Sequence, residues 1–240
     1  MRLDSNLKRN QLPRHFFSLL SFIDTANTKF MIVTLTLVVV DIPAFYLFFI
    51  GDRIFPYYII VPLLLLLHIW MLRLLCKNSY SIQFESIIFV CVSSGFASCL
   101  YLIILQVIPF TELGINYSIY YIVSNIVYVI TIILFFRIEM KKYADTNKEG
   151  KKDMIYGGGA LASVPGIGYL FSQIIIRESE FLIWTVLFFC FLIMYFFSAY
   201  LTVKFTYKAL FMKVNWHLVV FQKPLKGDQQ KFREKGLILK

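Results

Sequence analysis

Charged residues are scarce in this chain. Asp, Glu, Lys and Arg make up 16% of its 240 residues, against about a quarter in an ordinary soluble domain. The shortage argues against a globule whose whole surface faces water. Cysteine is equally thin: Cys76, Cys91, Cys99 and Cys190 form no CxxC, and each sits in or beside an apolar run. A disulfide framework or a thiolate metal centre is thereby set aside, and buried, inert thiols are expected. His15, His68 and His217 fall in three separate segments, so no metal site is expected either.

Catalytic signatures are missing as well. There is no HExxH, no GxSxG, no paired-glutamate motif of a membrane protease, and no cluster of acids to hold a metal beside a lipid phosphate. The glycine-rich stretch GGGALASVPGIG lacks the Lys-Ser/Thr that completes a phosphate-binding loop. An enzyme is therefore the weakest reading, and no cofactor is expected. Alternating ten-residue segments are absent, which argues against a barrel. No internal repeat is visible, so the inverted-repeat signature of many transporters is missing too. The first apolar run follows 29 largely polar residues and has no small-residue cleavage site, so it is not expected to be a cleaved signal.

What the chain does have is apolar length. Hydrophobic residues fill 59% of it, gathered in runs of about 20, the number of helical residues that crosses roughly 30 Å of hydrocarbon. Backbone groups in lipid must satisfy one another, so these runs are expected to be helices. The fold class is an all-α polytopic integral membrane protein with six transmembrane helices paired as three antiparallel hairpins. The spans are Phe30–Ile50, Phe55–Leu75, Phe84–Ile108, Tyr117–Phe136, Ile155–Ile176 and Phe181–Val203. Residues 1–29 form an arm in which PRHFFSLLSFID puts Phe16, Phe17, Leu20 and Ile23 on one helical face, predicting a helix lying in the headgroup plane. A basic loop, 137–154, separates spans four and five, and a basic tail, 204–240, closes the chain.

Lys and Arg set the orientation. Twenty-two of the 24 fall on the side shared by the arm, the end of span two, loop 137–154 and the tail; only Arg53 and Arg177 fall on the other. Both termini are therefore expected in the cytoplasm, with Lys141, Lys142, Lys151, Lys152, Lys204, Lys208 and Lys213 against anionic headgroups of the inner leaflet. The net charge of +10 is explained by topology, and no nucleic-acid partner is needed. The outer connections are short, so a soluble partner is expected on the inner side. A composition rich in Ile, Phe, Tyr, Lys and Asn fits the plasma membrane of a bacterium with AT-rich coding.

Two constellations stand out. In span five, Gly158, Gly159, Ala162, Ser163 and Gly166 share an arc of about 140°, a small-residue face suited to close helix contact, and Pro165 predicts a kink. That face serves either packing within the bundle or a seam for a partner or a second copy. The other is Asp41, near the middle of span one, with His68 in span two. Counting residues puts them about 16 Å and 10 Å from the inner end of their spans, about one turn apart. A carboxylate at such depth costs about 2.5–3.5 kcal/mol or more unless protonated, paired or wet. Asn125 of span four is a further candidate partner. Glu85, at the inner start of span three, and Gln106, near its outer end, read as structural.

These features carry two expectations of function. The first is a non-catalytic protein acting through protein–protein contacts in or beside the bilayer, such as a toxin immunity protein or an accessory subunit of a secretion or transport system. The alternative is a small proton- or solute-conducting transporter or channel that uses Asp41 and His68.

Overall fold

The computed structural model describes residues 12–50, 55–112, 114, 115, 117–144 and 180–223. Every regular element among them is helical. In chain order these are α1 (Arg14–Leu20), α2 (Thr25–Thr34), a π-helical stretch (Leu35–Asp41), α3 (Ile42–Ile50), α4 (Phe55–Cys76), α5 (Gln83–Thr111), α6 (Ser118–Ala144), α7 (Glu180–Val214) and a 3-10 turn (Trp216–Leu218). Five segments, Thr25–Phe48, Tyr58–Cys76, Gln83–Thr111, Ser118–Tyr143 and Phe181–Val214, are long and apolar enough to cross a membrane. This is the build of a multi-pass membrane protein. The fifth expected span, Ile155–Ile176, lies outside the described residues, as do Lys151 and Lys152.

The helices outrun the apolar runs that mark them. Span four was expected to stop at Phe136 and span six at Val203, yet α6 continues to Ala144 and α7 to Val214. At 1.5 Å per residue α7 is about 52 Å long, well beyond the hydrocarbon thickness. Hydropathy ends where water begins, but the hydrogen-bonded helix does not, because Arg, Lys and Glu are good helix formers.

The frame of the bundle is the pair α5 and α7. They run antiparallel, with Cys91 Sγ 2.9 Å from Thr206 Oγ1, Ser94 Oγ 3.2 Å from Thr202 Oγ1, and the rings of Tyr101 and Phe191 6.0 Å apart. Both helices bury small residues: Ser93, Ser94, Ala97 and Ser98 on α5 and Ser198 and Ala199 on α7 are fully buried. Small side chains let two backbones approach, and dispersion then supplies the attraction that lipid, itself apolar, does not. The seryl and threonyl hydroxyls remain satisfied, since each donates to a carbonyl of its own helix (Ser93 to Phe89, Ser94 to Val90, Thr202 to Ser198). Hydroxyl pairing between the helices is additional.

α6 runs parallel to α7, its rings meeting in step: Tyr128 with Tyr195, Phe135 with Tyr200, Tyr143 with Tyr207. The first span lies antiparallel to α4, with Lys29 Nζ donating to the Leu75 carbonyl at 2.7 Å. After α5, Gly114 adopts a φ of 68° and the Ile115 N–H returns to the Pro109 carbonyl at 2.8 Å. That left-handed conformation is the one glycine takes without cost.

A second layer closes the lysine-rich end. Phe16 and Leu20 of α1 are fully buried beside Tyr143, Phe211 and Leu218, with the Phe16 and Phe211 rings 5.8 Å apart. Of the face expected to rest on headgroups, Phe16 and Leu20 are covered by protein, while Phe17 and Ile23 are half-buried. An amphipathic helix beside a membrane has one apolar face to spend, and the ends of α6 and α7 claim it here. The segment after α7 folds back as well. Gln83 Nε2 donates to the Gln222 carbonyl at 2.8 Å, the Gln222 N–H donates to Gln83 Oε1 at 2.9 Å, and Gln222 Oε1 accepts from the Thr25 N–H at 3.2 Å. A side-chain amide here pairs with a backbone amide as a neighbouring strand would, fastening residues 219–223 across the starts of α2 and α5.

Candidate intramembrane site

Asp41 owes its position to a break in helical regularity. The stretch Leu35–Asp41 is β-branched at Thr36, Val38, Val39 and Val40, and Pro43 follows two residues later. A proline at 43 withholds the N–H that the Val39 carbonyl would accept in an α-helix, and its ring crowds that carbonyl. Widening to π geometry relieves both, and such turns recur at functional sites. Asp41 is the last residue of the widened stretch and is only 8% exposed.

His68 reaches it from the antiparallel helix α4. Its Nε2 lies 3.2 Å from Asp41 Oδ2, while its Nδ1 lies 2.8 Å from the Leu64 carbonyl, one turn back on its own helix. That second contact fixes the chemistry. A carbonyl oxygen only accepts, so Nδ1 must carry a hydrogen. The Nε2–Oδ2 contact then needs one more proton, either on the ring as an imidazolium facing a carboxylate or on Asp41 as an acid facing a neutral imidazole. Both forms are neutral overall. Without that proton the neutral ring has a single N–H and can satisfy only one of these two contacts at a time. The other carboxylate oxygen, Oδ1, is buried with no hydrogen-bond partner among the described residues. The His68 side chain stays 32% exposed, so the pair is open on the α4 side and closed on the Asp41 side.

Sequence counting therefore placed these two residues at compatible depths, and the structure brings them together. Asn125 goes elsewhere: it is exposed on α6 and its Nδ2 donates to the Tyr121 carbonyl at 2.7 Å. Gly158, Gly159, Ala162, Ser163, Pro165 and Gly166 lie outside the described residues. The small-residue seam that the structure does describe is the one between α5 and α7. Its sequence signal was present in SSGFAS of α5 and in Ser198, Ala199 and Thr202 of α7, but nothing local says which two helices share a seam.

The remaining polar groups are tied to the frame. Glu85 accepts from Trp70 Nε1 at 3.2 Å and from Lys77 Nζ at 3.1 Å, with Arg73 3.5 Å away. Gln106 Nε2 donates to Ser124 Oγ at 2.8 Å. Lys141, Lys142, Lys204 and Lys213 are exposed, whereas Lys208, read as a headgroup contact, donates to the Ser18 carbonyl of α1 at 3.0 Å. The expectation of buried thiols is corrected in part: Cys76, Cys99 and Cys190 are exposed and only Cys91 is partly covered. In lipid an outward-facing thiol sits among acyl chains and is as unremarked as an outward leucine. Among the described residues no three of His, Cys, Asp and Glu come together in a way that could hold a metal ion.

No protein-family model, no curated protein and no solved structure matches the chain. The function is therefore read from the site alone.

Proposed function

We propose that the protein crosses a bacterial plasma membrane six times with both termini in the cytoplasm, and that Asp41 and His68 bind and release a proton there in the service of proton or small-solute conduction. The observation that carries this reading is the 3.2 Å contact whose geometry demands a proton. Ionisable groups facing each other inside a bilayer are costly and mark proton and ion paths. The parallel course of α6 and α7 supports a further crossing in the chain between them. The gathering of Lys29, Lys77, Lys141, Lys142 and Lys213 at one end supports the orientation.

The test is flux in proteoliposomes carrying an internal pH dye. Asp41→Asn keeps the shape but removes the proton that is shared, so acidification after a pH step should fall to the rate of empty vesicles. Undiminished flux through Asp41→Asn excludes this site.

A second reading is a non-catalytic protein acting through contacts with other proteins, as a toxin immunity protein or an accessory subunit would. Its support is the folded layer at the lysine-rich end, which leaves Trp216 and Val220 exposed on a packed surface. Wild-type protein with no flux above empty vesicles, together with a partner lost on Trp216→Ser, favours that reading over the first.

A further inference from the structure

The folded layer at the lysine-rich end keeps an apolar edge uncovered. Leu210 and Val214, one turn apart at the end of α7, Trp216 of the 3-10 turn and Val220 just after it are each about half exposed. These side chains stand on a packed base. The Trp216 ring meets Phe84 edge-on, with ring centres 5.1 Å apart, and lies 5.5 Å from Phe221, which in turn lies 4.8 Å from Phe22. Phe22, Ile87 and Met212 beneath are buried. A surface fixed in this way loses little freedom when something covers it.

We propose that this edge is seated in the bilayer surface, with Trp216 at the level of the headgroups and Val214 and Val220 immersed beside it. What covers the edge follows from where it leads. Phe84, the ring against Trp216, opens a stripe that continues one and two turns along α5 as Ile88 and Val92, both exposed. α5 is one of the helices long and apolar enough to cross the membrane, so the stripe is lipid-facing surface, and it carries no charge. A site meant for a soluble protein would stand clear of that stripe, whereas Trp216 abuts it. Indole belongs at such a boundary, because its rings are apolar and its N–H can meet water or a headgroup. Lys213, exposed next to Val214, adds positive charge at the same level, which suits an anionic leaflet. α1 buries Phe16 and Leu20 in protein, and the end of α7 takes over the contact with lipid that α1 gives up.

The test reads the depth of Trp216 in the purified full chain, reconstituted without any other protein in vesicles of phosphatidylcholine and phosphatidylglycerol. Trp70→Phe/Trp184→Phe leaves Trp216 as the one tryptophan. Phosphatidylcholine brominated high on its acyl chains should quench most of the emission, and bromine near the chain ends should quench less. Acrylamide present on both faces of the vesicle should quench little. Emission that neither brominated lipid quenches overturns the proposal; if acrylamide then quenches it, the edge is a surface kept for a soluble partner. Stronger quenching from the chain ends than from the upper chain overturns it as well, because the ring would then sit in the hydrocarbon core. Where the double variant does not fold, the difference in emission between the parent and Trp216→Phe isolates the same signal. A difference quenched by the upper-chain bromine upholds the seat, and an unquenched difference overturns it. The measurement involves neither Asp41 nor flux, so its failure leaves the proton reading where it stands.

Discussion

The seam between α5 and α7 and the contact between the first span and α4 solve the same problem in opposite ways. Along the middle of the seam, serine, threonine and alanine are buried where the two helices meet, Tyr101 and Phe191 continue the contact, and the seryl and threonyl hydroxyls are already satisfied within their own helices. At the other contact a π-helical stretch interrupts the first span, α4 turns most of its surface outward, and the polar link is one proton-dependent hydrogen bond. The comparison teaches where stability and chemistry are kept. In a bilayer helix association draws on packing rather than on the hydrophobic effect, so the dry seam is the frame. The Asp41–His68 link lies apart from that seam.

Enlarging the seam is the strongest way to break this contrast. Ala199 of α7 is fully buried, and Ala199→Leu adds three carbons to a residue with no exposed surface. Overpacking of this kind costs about 1–3 kcal/mol, visible as earlier unfolding when sodium dodecyl sulfate is titrated into dodecyl maltoside micelles. Gly95 provides the control. A Cβ there meets Thr202 Cγ2 at 3.4 Å, the near edge of ordinary contact, and alanine favours the helix over glycine by about 1 kcal/mol, so Gly95→Ala should unfold no earlier than the parent. Equal behaviour of Ala199→Leu and parent would mean that the seam is not the frame.

The lysine-rich end supplies an intermediate case. Gln83→Leu removes the amide that fastens residue 222 and takes a partner from three backbone groups, the Gln222 N–H and the Gln222 and Tyr80 carbonyls. The loss is about 1–2 kcal/mol at most, since solvent replaces much of what the side chain gave. It should be local: trypsin should cut after Lys213 faster, while helix content by circular dichroism holds. Unchanged cleavage would show that the aromatic contacts of Phe22 with Phe221 and Phe84 with Trp216 hold this segment without the amide.

How much of this was legible beforehand depends on the range of the interaction. The described helices lie where apolar length put them, because the need to satisfy backbone groups in lipid acts on each span alone. The depth match of Asp41 and His68 was also within reach, since a short turn makes two spans antiparallel and rise per residue does the rest. The π stretch left a signal in Pro43 after a β-branched run, which hydropathy ignores. The seam was harder. Ser94 and Thr202 are 108 residues apart, and several helices carry small residues, so the choice of partner is made by the whole bundle. α1 was ambiguous for another reason: the spacing of Phe16 and Leu20 fits a headgroup layer and a protein surface equally well, and only the ends of α6 and α7 decide between them.

The smallest expected effect on stability falls on the pair that carries the proposed function. Replacing Asp41 and His68 together, by Asp41→Leu and His68→Phe, removes a costly intramembrane contact and fills its place with apolar volume. Buried ionic pairs exchanged in this way are often neutral or even stabilising, so unfolding in the mixed-micelle titration should shift by less than that of Ala199→Leu or reverse in sign. His68→Phe alone is the sharper case. It strands Asp41 without the partner that holds its proton, and the carboxyl must then carry that proton itself or draw in water. The single variant should therefore unfold earlier than the double, the reverse of what two independent losses would give. Should the double variant be the less stable by the sum of both single losses, the pair would be an ordinary structural contact, and the frame would extend through α4 as firmly as it does through α5 and α7.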